Sequence, residues 1–146
     1  MRVGGDLKRM CNLTQHIANI ARLKHPVVPI PAGVRPLSAW MGVLAASLAQ
    51  DAAAALESRD AMSGDRLAHA DDGVDALRRR IFRVLFSADW SHGVEPAVDT
   101  ALIGRYYERF ADHAVALLLE GITRVEMSDV WVLQRLPSQV FRLLVP

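Results

Sequence analysis

Glu108 and Asp112 stand four residues apart, with His113 directly after the second acid. On a helix, residues at i and i+4 are neighbours on one face. Two carboxylates so placed converge enough to hold one cation together. A hard divalent ion takes about six oxygen ligands, so water, a second helix or a second subunit must supply the others. The same spacing has a plainer use. Arg105 lies three residues before Glu108 and Arg109 three before Asp112, so each acid has a ready ion-pair partner on a solvated face. Spacing alone leaves both readings open. His113 is turned by about 100° from Asp112, which makes it a neighbour of the pair and not an obvious co-ligand.

Other chemistry is poorly provided for. The chain contains no HExxH, no CxxC and no glycine-rich phosphate loop. Asn12 and His16 share a helix face, yet no third strong ligand lies near them, so His16 reads as a surface or interface histidine. No serine has a legible histidine and acid arrangement, and no catalytic residue is expected. Arg78, Arg79, Arg80 and Arg83 suggest a phosphate or RNA patch, but Asp71, Asp72 and Asp75 precede them and no regular aromatic series interleaves them. A solvated helix face whose charges complement the helix dipole is the simpler reading. Asp75 and Arg79 have the i,i+4 spacing of a favourable pair.

The bulk numbers agree with a binding role. There are 17 basic and 16 acidic residues, for a formal charge of +1, so no general attraction to nucleic acid or anionic lipid is expected. The single cysteine, Cys11, cannot form an intrachain disulfide and suits a reducing, cytoplasmic compartment. The start MRVGGDLKRM lacks an apolar signal segment. No uncharged apolar run approaches the ~20 residues of a membrane span. At 146 residues the chain can bury a core without staples.

Helices must position the acids. A first runs from about Val3 to Leu23, with Leu7, Met10, Leu13 and Ile17 on its apolar face and Lys8, Asn12, Gln15 and Asn19 opposite. His25-Pro26 ends it, and Pro26, Pro29, Pro31 and Pro36 make an extended connector. A second, from about Leu37 to Arg59, buries a stripe marked by Trp40/Met41, Leu44, Leu48 and Ala52, and its alanines allow close helix approach. A third spans about Arg66 to Phe86, with Asp65 as its N-cap. The fourth spans about Val94 to Thr123, with Leu102, Tyr106, Phe110, Ala114 and Leu117 inward and Glu108 and Asp112 outward. The fold class is therefore all-α: an antiparallel three-helix bundle preceded by one extra helix. The apolar segment 126–146, interrupted by Pro137, departs from this pattern and reads as a divergent tail.

The stretch Ala101-Leu102-Ile103-Gly104-Arg105-Tyr106-Tyr107-Glu108-Arg109-Phe110-Ala111-Asp112-His113-Ala114 closely resembles the signature of the PhoU family, accessory regulators of the phosphate-specific transport system. Trp90 to Glu95 and Asp71 to Leu77 resemble its actinobacterial branch. The likeness covers about residues 3 to 125. It implies two similar three-helix bundles in a typical member, each with an acidic motif on its last helix. Residues 37–125 would be the complete second bundle, 26–36 the connector, and 1–25 the last helix of an incomplete first bundle. Glu108, Arg109 and Asp112 would be the second motif, with Arg105, Arg109 and His113 as motif-flanking or partner-binding residues. The first motif falls on Lys8, Arg9 and Asn12, where an amine and an amide replace the acids and make a degenerate metal site. The resemblance further implies a divalent, iron or zinc ion at the second motif and no organic cofactor. It implies negative regulation of phosphate uptake through the phosphate ABC transporter ATPase and a sensor histidine kinase, with a homodimer as the assembly. A helical fragment that has lost regulation is the alternative.

Overall fold

The computed structural model describes residues 3–58 and 63–121, and these form four helices: α1 (Val3–Lys24), α2 (Arg35–Ser58), α3 (Ser63–Leu85) and α4 (Val94–Gly121). Each lies within a few residues of the helix expected from periodicity. The fold is all-helical, as its sequence pattern requires. The apolar segment 126–146 lies outside the described residues.

α4 is the hub. It packs against α1, α2 and α3, and α2 also packs against α3. Among the described residues α1 approaches no helix but α4. The extra helix thus lays Leu7, Met10, Leu13 and Ile17 onto the back of the bundle, and all four are buried. Its polar stripe of Lys8, Asn12, Gln15 and Asn19 is exposed as expected. α1 runs antiparallel to α4, tied at three levels. Asp6 meets His113, the His16 ring stacks 5.2 Å from Tyr106, and Lys24 pairs with Glu95 and Asp99.

This double covering widens the buried arc of α4 beyond the stripe read from sequence. Ile103, Tyr107, Phe110, Ala111, Ala114, Leu117 and Leu118 are all buried. Leu102 and Trp40, expected inside, are exposed instead, because the inward positions are Ile103 and Met41. Alanines at 45, 49, 52, 53 and 55 line the buried face of α2 and leave room for close packing. At Gly73 a methyl group would come within 3.3 Å of Leu44 Cδ1, so the Leu44 side chain would have to give by a few tenths of an ångström. α2 alone among the described residues has the length and apolar composition to cross a membrane, but in this fold its buried stripe lies against α3 and α4.

The proline-rich connector is not a plain extended link. Its chain bends so that Ile30 and Val34 enter the core, and Pro31 O accepts the backbone N–H groups of Val34 and Arg35 to begin α2. Between α3 and α4, Gly93 takes a left-handed φ of 83°, where a side chain would be strained. Trp90 Nε1–H donates to the Gly93 carbonyl at 2.8 Å and braces that turn.

Candidate functional site

The acids of α4 do not share one environment. Glu108 is only 7 % exposed, which corrects the expectation of two outward-facing carboxylates. Asp112, one turn further on, is exposed. Glu108 is inside because α3 covers that side of α4, a packing contact that the periodicity of α4 alone does not reveal.

Two arginines hold Glu108. Arg105, one turn earlier on α4, donates from Nη1 to Glu108 Oε2. Arg78 reaches across from α3, with Nε 3.2 Å from Glu108 Oε1. That N–H is not aimed at the oxygen, so Nε lacks a hydrogen bond and the contact is electrostatic. The Arg105 pair was legible from spacing, whereas the Arg78 pair joins two helices and was not. Arg109 and Asp112, the other pair expected from spacing, do not form an ion pair.

Partial burial pushes the Asp112 carboxyl above its ordinary range, and the negative charges of Glu108 and Asp75 push it the same way. Arg105 and His113 oppose them. Asp112 is therefore an under-compensated carboxylate on an accessible surface. The sign of its effect on stability follows from linkage. The folded chain holds the Asp112 proton to a higher pH than the unfolded chain. The favourable contribution is complete below the unfolded value and is lost as pH rises through the folded one. At neutral pH the charged carboxylate lowers stability. Asp112→Asn is expected to raise the urea midpoint at about pH 7, with the gain shrinking towards about pH 4. A neutral-pH loss in that variant would mean that the carboxylate has an attractive partner.

His113 is turned away from the acids of α4. Its Nδ1–H donates to Asp6 Oδ1 on α1 at 2.9 Å. Asp6 is fully buried, and Arg9 Nη1 stands 3.5 Å from the same oxygen. The second oxygen, Oδ2, is buried without a partner. Sequence reasoning gave Asp6 no role. The signal was present, since Asp6 precedes Met10, Leu13 and Ile17 at the spacing of one buried face. A carboxylate on such a face needs a buried partner.

On α1, Lys8 and Asn12 lie on the exposed face and Arg9 is directed to Asp6. No carboxylate pair exists there. Among the described residues no group of three or more acid, histidine or cysteine side chains converges as a metal centre. The second motif fits a cation only in part. Asp112 offers an accessible carboxylate, while Glu108 must release an arginine before it can ligate.

Comparison with known proteins places this arrangement in a family. The PhoU domain profile matches residues 39–118, which span α2, α3 and the motif of α4. The chain is 43% identical over 110 residues to the phosphate-specific transport system accessory protein PhoU homolog 2 of Mycobacterium tuberculosis, covering 75% of this chain and 52% of the relative. It is 41% identical over 115 residues to PhoU homolog 1 of the same organism, covering 79% and 52%. The more distant PhoU homolog of Zymomonas mobilis is 27% identical over 117 residues, covering 78% and 48%. No solved structure matches the chain at a significant level. The chain spans about half the length of the curated relatives it matches. With the bundle, the motif and these relatives in agreement, the chain belongs to the PhoU family.

Proposed function

We propose that the chain is a non-catalytic cytoplasmic adaptor that restrains phosphate uptake and the phosphate-starvation response. Its partners in this reading are the ATPase of the phosphate ABC transporter and the sensor histidine kinase of that response. The observation that carries the reading is the intact Glu108-Arg109-x-x-Asp112 motif on α4, within the segment that matches the PhoU domain. The names of the relatives, phosphate-specific transport system accessory proteins, support the same system.

A divalent, zinc or iron ion belongs to this proposal as a ligand of Asp112 and, once Arg105 or Arg78 yields, of Glu108. Two carboxylates fall short of the roughly six oxygens that a hard ion takes. A second copy of the chain and water would supply the remainder, which links metal binding to a homodimer. Arg105, Arg109 and the face around Asp112 would meet the partner.

The expected result is co-purification of the full chain with the transporter ATPase or the kinase. Glu108→Ala/Asp112→Ala should weaken that association and lower bound manganese or zinc. Capture of neither partner, with a full-length relative capturing both, contradicts the reading. One observation favours a second reading, an interaction piece without regulatory function: Lys8 and Asn12 occupy the first motif and arginines already occupy Glu108. Failure to restore phosphate repression in a strain lacking its own regulator would select it.

A further inference from the structure

The C-terminal half of α3 carries a surface that neither the bundle core nor the acidic motif accounts for. Arg78, Arg79, Phe82, Arg83 and Phe86 recur at helical spacing and line a shallow groove of about 680 Å³. Phe86 is 82 % exposed, and its ring lies 5.6 Å from that of Phe82. The Arg78 guanidinium stands 5.6 Å from the centre of the Phe82 ring, so the arginine that pairs with Glu108 also braces this ridge. Arg79, Arg80 and Arg83 are exposed and form no ion pair among the described residues. The Asp75–Arg79 pair expected from spacing does not form. No acid occurs between Arg78 and Phe86.

The surface continues past the end of the helix. Arg83 also lines a second hollow of about 390 Å³, where Gly33 and Val34 of the connector face Trp90 and His92 of the α3–α4 turn. The Trp90 and His92 rings meet edge to face at 5.0 Å. One arginine thus joins two hollows into a single cationic and aromatic strip.

We propose that this strip docks an acidic amphipathic helix of a partner protein. The unpaired guanidinium groups call for carboxylates, which an arginine fork can grip in bidentate fashion. The two phenylalanines call for apolar side chains between those acids. Their i, i+4 ridge is the geometry into which the grooves of a second helix pack. Arg78 to Phe86 spans about 12 Å at 1.5 Å per residue, the length of about two helical turns. Nucleic acid fits less well, because Asp72 and Asp75 precede the ridge on α3 and Asp89 stands in the second hollow. This surface shares only Arg78 with the acidic motif, and R79E/R83E leaves that pair in place, so loss of transporter or kinase binding leaves the strip standing, and the converse holds.

A peptide array tests the proposal with the full-length chain. The array carries acidic amphipathic helices, the same helices with lysine in place of each acid, and scrambled controls. Anionic phosphatidylglycerol vesicles and single-stranded RNA are measured beside it. The acidic helices are expected to bind and the lysine helices are not, with binding that weakens as salt rises. R79E/R83E should reduce acidic-helix affinity at least tenfold and gain affinity for the lysine set, and F86A should weaken the acidic set. Circular dichroism checks that each variant keeps its helices. Equal binding of acidic and lysine helices, unchanged binding by both variants, or tighter binding to vesicles or RNA overturns the proposal.

Discussion

His113→Ala is expected to destabilise the fold by about 3 kcal/mol, the upper end of the range for leaving a buried hydrogen-bonding group without its partner. Asp6 is fully buried, and His113 Nδ1–H is the short contact to it. Without the imidazole, the carboxylate keeps only Arg9 at 3.5 Å from one oxygen, while the other already lacks a partner. For a domain of this size such a loss lowers Tm by roughly 6–12 °C. The damage should concentrate on α1, because α4 is the one helix it packs against among the described residues. Hydrogen exchange is expected to speed up across α1 before α2 and α3 are affected. Asp6→Leu/His113→Leu supplies the control. Replacing both partners with apolar groups can be neutral or stabilising, so the double variant should recover most of the stability. A loss below about 1 kcal/mol in His113→Ala would show that the pair does not hold α1 in place.

Glu108→Ala is expected to cost about 2 kcal/mol, well above the ~0.5 kcal/mol usual for a surface change. Glu108 sits against α3, with both carboxylate oxygens facing arginine. Its removal leaves Arg78 partly buried and uncompensated. Glu108→Gln keeps the shape and one acceptor, so an intermediate loss is expected. In a double-mutant cycle with Arg78→Ala, the two losses should be less than additive by about 1 kcal/mol. Urea midpoints at neutral pH measure all four variants, the two Glu108 substitutions, Arg78→Ala and the double variant. Strict additivity would mean that Arg78 and Glu108 do not interact across the α3–α4 contact.

The two expectations share one cause, which also sets the limit of what the sequence made legible. Periodicity located all four helices, because each repeats apolar residues on a face: Leu7, Met10, Leu13 and Ile17 in α1, and Phe110, Ala114 and Leu117 in α4. It assumed that α4 buries one stripe. α4 buries two sides, since α1 covers one and α2 with α3 cover the other. The α3 side brings Glu108 inside, and the α1 side turns His113 onto Asp6. Helical spacing yields the pair within one helix, Arg105 with Glu108, but not partners that meet across helices, such as Arg78 with Glu108 and Asp6 with His113. Asp6 had a local clue in its place on the buried stripe of α1. Arg78 had none, since four arginines crowd its stretch of α3 and only one reaches across.

The division of the motif gives the proposed adaptor a physical shape. Glu108 fastens α3 to α4, and Asp112 is left on the surface with its charge under-compensated. A cation or a basic partner group at Asp112 would relieve that charge, and the native acid favours such a ligand more than an asparagine would.

The most direct measurement titrates the purified full chain against the transporter ATPase and the cytoplasmic part of the sensor kinase, with manganese present and then chelated. Saturable binding to at least one of them is expected, weaker after chelation and weaker again in Asp112→Asn. Absence of binding to both, under conditions where a full-length relative binds, would contradict the adaptor role.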